Sequence, residues 1–169
     1  MMTVEEAATR STHYAAFAEA FKEPRPEEAM EDWAKAYIDS FEPSITKGAC
    51  SLNESEYARS ARNTVYEELL RFYNFFGLER DEQASLPDHL SVELQFMHYL
   101  TYLEAKLKEE GIEVEDVLRA QRDFLERHLG QLVKEVNDKT DVKAPLYGEQ
   151  VKALAAFVHM EIDRYKDLP

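Results

Sequence analysis

Apolar residues recur at three- and four-residue spacing along nearly the whole chain, and that period specifies helices. Strand-like alternation never persists long enough to compete. Helices are expected over 4–21, 27–41, 54–76, 87–111, 113–136 and 145–165. Thr3 followed by Glu6 forms a capping box at the first start. The second stripe is Met30, Trp33, Ala34, Tyr37 and Phe41, stopped by Pro43. The third is Tyr57, Ala61, Val65, Leu69, Phe72 and Phe76, stopped by Gly77. The fourth segment carries apolar residues on two rows, one with Leu90, Leu94 and Met97 and one with Phe96, Leu100, Leu103 and Leu107. Burial over so wide an arc makes it the central helix. These readings predict an all-α fold, a single-domain helical bundle of about six helices over residues 1–169. The polar link at 77–86 is the expected hinge.

Composition narrows the function classes. No apolar run approaches the ~20 residues of a membrane span, so no stable membrane insertion is expected. The first ten residues include Glu5 and Glu6 and no apolar h-region, so a cytoplasmic location is expected. A single cysteine, Cys50, rules out an intramolecular disulfide and a cysteine-only zinc site. The net charge of −14 repels nucleic acid and anionic lipid and attracts a basic partner. The same charge also serves plain solubility. Five scattered glycines build no phosphate-binding loop.

Chemistry-bearing constellations are sparse. The five histidines form no HExxH motif. A di-iron bundle needs inward-facing ExxH pairs, and the nearest approach, Gln95 to His98, has an amide where the carboxylate belongs. No metal ligand and no cofactor is therefore assigned, although a metal-dependent helical-bundle enzyme stays as the alternative reading. Cys50 sits in an expected loop with no histidine motif around it. Gln121 and His128 are more informative, because both fall on the apolar stripe of the fifth segment. Polar residues there either form a satisfied core pair or line a groove. The block Leu86-Pro87-Asp88-His89-Leu90 opens the fourth helix. Proline suits the first turn, and Asp88 either caps the helix or faces a ligand.

This block, extended through Ser91-Val92-Glu93-Leu94-Gln95-Phe96-Met97, resembles the signature of the TorD/DmsD/NarJ family of redox-enzyme maturation chaperones. Upstream, Tyr66-Glu67-Glu68-Leu69-Leu70 and Phe72-Tyr73-Asn74-Phe75-Phe76-Gly77-Leu78 resemble that family's aromatic helix. Downstream, Ala120-Gln121-Arg122-Asp123-Phe124-Leu125 and His128-Leu129 resemble its "AQ..FL..HL" helix. The blocks agree in order and spacing over residues 55 to 165. Within the family the chain looks closest to chaperones of type II dimethyl-sulfoxide-reductase enzymes. One departure is Gly130-Gln131-Leu132-Val133, where family members often carry a tryptophan.

The resemblance implies a TorD-like, non-enzymatic, system-specific chaperone. Its implied partners are the catalytic subunit of a molybdenum oxidoreductase and that subunit's twin-arginine leader, held until folding and cofactor insertion precede export. It implies a monomer or a homodimer exchanged at the hinge. Carried over residue by residue, Pro87, Asp88, His89, Glu93 and Met97 would border the peptide-binding region. Gln121, Phe124 and His128 would line or support the same groove. A leader pairs two arginines with an apolar stretch, so Asp88 or Glu93 would meet an arginine. The row Leu90, Leu94 and Met97 would take the apolar part.

Overall fold

The computed structural model describes residues 2–79, 81 and 85–168. Among them the structure is helical throughout, with no strand beyond one isolated antiparallel bridge, Asn53 to His89. The helices are α1 (Val4–Ala20), α2 (Asp32–Phe41), α3 (Arg62–Phe75), α4 (Leu90–Glu109), α5 (Glu115–Phe124), α6 (Gly130–Lys139) and α7 (Tyr147–Arg164). A π-helical turn, Leu125–Leu129, joins α5 to α6 without leaving helical dihedrals, so the two make one rod. The all-α bundle of six rods expected from periodicity is thus observed. Of the expected hinge at 77–86, residues 80 and 82–84 lie outside the described residues.

Local chemistry sets most of the boundaries. At α1 the Glu6 amide donates to Thr3 Oγ1 at 3.1 Å and the Thr3 amide to Glu6 Oε2 at 2.7 Å, completing the capping box. α3 and α4 close with the same device. Gly77 and Gly111 take φ of +73° and +69°. The next amides, of Leu78 and Ile112, then reach back to the Tyr73 and Leu107 carbonyls. Both stops were legible as glycines.

Two starts differ from expectation. The second segment opens as a 3-10 turn, Pro26–Glu28, and becomes α-helical only at Asp32. Glu28 is drawn back to Arg25, whose backbone N–H and Nε both donate to Glu28 Oε1. Met30, expected on the buried stripe, therefore lies in the break and is 81 % exposed. The third segment is likewise interrupted: a 3-10 turn at Glu54–Glu56 precedes α3, which starts at Arg62. Tertiary hydrogen bonds to the Glu54 and Ser55 amides, described below, hold that turn apart from the helix.

α4 is the central helix, as its two apolar rows require. Its buried positions include Leu90, Leu94, Phe96, Met97, Leu100 and Ala105, and it packs along α1. Two aromatic clusters fill the interior. One joins Phe21, Tyr37, Phe41 and Tyr147, with Phe41 and Tyr147 ring centroids 4.9 Å apart. The other joins Phe72, Tyr73, Phe96 and Phe124, with Phe96 and Phe124 at 4.7 Å. Edge-to-face geometry dominates both. At Gly130 a Cβ would lie 2.5 Å from the Leu125 carbonyl oxygen, so the carbonyl of the π-turn leaves no room for a side chain there.

Candidate functional site

Pro87, Asp88, His89 and Glu93 lie at the start of α4, and all four are buried. The Pro87 carbonyl accepts the Tyr73 hydroxyl at 2.8 Å, which ties the block to the end of α3. Asp88 neither caps its own helix nor reaches the surface. Its Oδ1 accepts from Asn53 Nδ2 at 3.0 Å and its Oδ2 from the Ser55 amide at 2.8 Å. Its backbone carbonyl accepts the Glu54 amide, and the Leu90 amide donates to the Leu52 carbonyl. Asp88 thus holds the 3-10 turn of a distant segment, so neither role left open for it, capping its own helix or facing a ligand, is the one it plays.

His89 is the residue that caps α4. Its Nδ1 accepts the Ser91 amide at 3.1 Å. That bond leaves the ring proton on Nε2, which faces the Tyr37 hydroxyl at 2.8 Å and Glu23 Oε1 at 3.3 Å. Burial lowers the His89 pKa to about 4, against a smaller opposing pull from Asp88, so the imidazole is neutral. Glu93 lies one turn further along. Both its oxygens are buried with no hydrogen-bond donor among the described residues. Burial, then Glu54 and Asp88, push its carboxyl well above the ordinary glutamate range.

Gln121 and His128 do not form a pair. They serve two separate networks, one on each side of Phe124. His128 Nδ1 lies 3.0 Å from Glu54 Oε2, and its Nε2 lies 3.5 Å from Glu68 Oε2. The π-turn carries His128 to this position, with the Phe72 and Phe124 rings each 5.6 Å from the imidazole. Gln121 instead belongs to a buried hub around Arg10. Arg10 donates to Glu161 at 2.9 Å, to Glu104 at 3.0 Å and to Gln121 Oε1 at 2.9 Å, and it also bonds the Tyr165 hydroxyl. Gln121 Nε2 donates to Glu104 at 3.0 Å. Burial works against the Arg10 charge, but Tyr165, Glu161 and Glu104 outweigh it and raise the guanidinium pKa. This hub joins α1, α4, α5 and α7. The sequence did contain its signal: Arg10, Glu104 and Glu161 each sit on the apolar stripe of their helix.

Met97 and Phe124 are fully buried, as are Leu90 and Leu94. The row Leu90, Leu94 and Met97, expected to receive an apolar ligand, is core, because α1 covers that face of α4. The accessible face is the neighbouring one. There Leu70, Tyr73, Leu78, Val92, Phe96 and Tyr99 line a hollow of about 340 Å³ between α3 and α4. Glu79, Asp81, Ser85 and Gln95 complete the lining, so among the described residues its charged members are both acidic. Phe75, at the end of α3, is 76 % exposed and packs edge-on against Phe76, whose ring lies 6.0 Å from Phe96.

Of the residues singled out from sequence, Pro87 and Phe124 touch the lining of this hollow from behind. Pro87 fixes Tyr73, Phe124 backs Phe96, and Ser85 Oγ donates to Glu23, which contacts His89. The arrangement suits recognition of an apolar side chain beside a cation. Among the described residues no group of three His, Cys, Asp or Glu side chains is placed to hold a metal ion. Cys50 is buried, with Thr140 Oγ1 3.5 Å from its sulfur. No helix of the described residues is long and apolar enough to cross a membrane.

Comparison with known proteins agrees with this picture. Residues 5–137 match the nitrate reductase delta subunit family. The chain is 33 % identical over 130 residues to a selenate reductase assembly chaperone protein of Thauera selenatis, which covers 76 % of this chain and 67 % of that protein. It is 30 % identical over 135 residues to a chlorate reductase assembly chaperone protein of Ideonella dechloratans, covering 79 % of this chain and 70 % of the relative. With a perchlorate reductase assembly chaperone protein of Dechloromonas aromatica (strain RCB) it shares 39 % identity over 103 residues, 60 % of this chain and 46 % of the relative. The chain belongs to the nitrate reductase delta subunit family, within the TorD/DmsD/NarJ group of redox-enzyme maturation chaperones.

Proposed function

We propose that this protein is a cytoplasmic assembly chaperone, without catalytic activity of its own, for the catalytic subunit of a molybdenum oxidoreductase. It holds that subunit, and its twin-arginine leader, while the subunit folds and receives its cofactor before export. The observation that carries this reading is the hollow between α3 and α4: an apolar floor with Glu79 and Asp81 as its charged lining. The names of the similar chaperones, which assemble selenate, perchlorate and chlorate reductases, supply the client class.

The energetics favour a peptide with one bulky apolar residue near a cation. Burying such a side chain contributes about 1.5–3 kcal/mol. An exposed ion pair adds only ~0–1 kcal/mol. Affinity comes from the floor, and the acidic rim sets orientation and encounter rate. Pro87, Asp88, His89, Glu93, Met97, Gln121, Phe124 and His128 act from behind, by fixing the walls on which the peptide rests. A metal-dependent enzyme, the alternative, would need a donor set that the described residues do not form.

The test is co-purification of the chain with the molybdoenzyme subunit encoded beside it, with and without the subunit's leader. Retention that falls when the leader is removed supports leader binding. Retention independent of the leader moves the contact to the mature body. No retention of either form removes the proposal. Light scattering on the same preparation separates a monomer from a hinge-exchanged homodimer.

A further inference from the structure

The start of α4 buries three carboxyl groups together. Asp88 and Glu93 lie on or beside α4, and Glu54 comes from the 3-10 turn that docks against them. Asp88 has hydrogen-bond donors, from Asn53 and Ser55. Glu54 has His128, which approaches both its oxygens at 3.0 and 3.1 Å. Glu93 has none, and the charged groups that act on it, Glu54 and Asp88, are both acids. His128, the partner of Glu54, also faces Glu68 on α3 at 3.5 Å. An ionised Glu93 would be an acceptor with nothing to accept, beside two like charges. A protonated Glu93 becomes a donor, and Glu54 is the acceptor that faces it.

We propose that Glu93 carries a proton in the folded protein, and that this proton latches the Asn53–Tyr57 segment onto the start of α4, releasing it as the solution becomes alkaline. Releasing the proton sets a third negative charge against Glu54, the only one of the three groups on the docking segment. The segment opens, and the amides that Asp88 held are exposed. The device is a property of this chain alone and stands whether or not the proposed client is correct.

The direction follows from linkage. The folded state holds a proton that the opened state loses, so the opening equilibrium grows about tenfold per pH unit until Glu93 ionises in the folded state. Two measurements on the whole protein test this. Infrared spectroscopy at neutral pH should show the C=O stretch of a protonated carboxylic acid. Glu93→Gln should remove it, and Glu23→Gln, which deletes another carboxyl raised by burial, should leave it in place. Hydrogen exchange, corrected for the intrinsic pH dependence, should show protection of the Glu54, Ser55 and Leu90 amides falling about tenfold per pH unit. The fall should track loss of the infrared band, and protection in Glu93→Gln should be flat. Absence of the band at neutral pH overturns the proposal. So does a band that titrates while protection of those amides stays constant.

Discussion

Asp88 and Ser55 lie 33 positions apart in the chain, yet Asp88 Oδ2 accepts the Ser55 backbone N–H at 2.8 Å. With the Asn53 side chain on the other oxygen, one buried carboxylate satisfies two donors of a turn that has no helix of its own to join. Replacing Asp88 by alanine leaves both half-buried donors without this acceptor. Each buried donor left unpaired costs about 1–3 kcal/mol. Asp88→Ala should therefore lose about 3 kcal/mol in urea unfolding. Asp88→Asn, which keeps one good acceptor, should lose less. An alanine variant as stable as the parent would show that the turn is not held by this bond.

The Arg10 hub makes a sharper demand. Its guanidinium is buried between Glu104 and Glu161, so truncating it leaves two carboxylates in the core with part of their neutralisation gone. Lys108 still reaches Glu104 at 2.6 Å and Arg164 still reaches Glu161 at 2.7 Å, which softens the loss. Breaking a buried pair from one side costs about 3–5 kcal/mol. Arg10→Met should fall in that range. Arg10→Lys should recover little of it, because one ammonium cannot reproduce the planar fork that meets both carboxylates. Thermal unfolding of the two variants compares them directly.

His89 predicts an acid limb of stability. Its folded pKa, about 4, lies below the ~6.5 of a free histidine. The folded state thus prefers the neutral ring. The stability contributed by His89 is complete above pH ~6.5 and is lost as pH falls toward 4, by about 1.4 kcal/mol per unit and about 3 kcal/mol in all. Glu23 and Glu93, both raised by burial, work in the opposite sense, and Glu93 offsets much of this slope above pH ~4.5, so the His89 contribution is read as the difference between the parent and His89→Gln. Between pH 6.5 and 4 the slope of stability against pH in His89→Gln should differ from the parent's by about 1.4 kcal/mol per unit. Urea midpoints measured across that interval decide it, and an unchanged slope would assign the acid loss to other groups.

Much of this architecture was readable from periodicity and punctuation. Thr3 with Glu6, Gly77 and Gly111 marked ends that the structure reproduces, because caps act through neighbours in sequence. The second and third helix starts were misread for the complementary reason. Arg25 captures Glu28 by a side-chain bond, and Asp88 captures the Ser55 amide from 33 residues away. Neither preference shows in a hydrophobic stripe. The residues expected at the site are all buried, and none of them lines the hollow. Periodicity placed Leu90, Leu94 and Met97 on one row and left open which side of α4 that row faced. The rod of α5 and α6 carried a second ambiguity, since Gln121 and His128 lie seven residues apart and look like partners. The π-turn between them sends each to a different network.

The hollow itself yields the prediction that separates recognition from folding. Val92 and Tyr99 line it while remaining half-buried, so both can be cut back at little cost to the core. Val92→Ser and Tyr99→Ala remove apolar floor, and each should weaken client binding about tenfold, the effect of about 1.4 kcal/mol. Helical circular dichroism should stay unchanged. Glu79→Lys with Asp81→Lys reverses the charge of the lining without touching the floor. That double variant should chiefly slow association, and the difference from the parent should shrink as salt is raised. Stopped-flow kinetics with the client peptide distinguish the two classes. Faster dissociation in the floor variants and slower association in the rim variant fit a hollow that grips an apolar side chain and steers a cation. Parental rates in all of them would place client binding elsewhere on the chain.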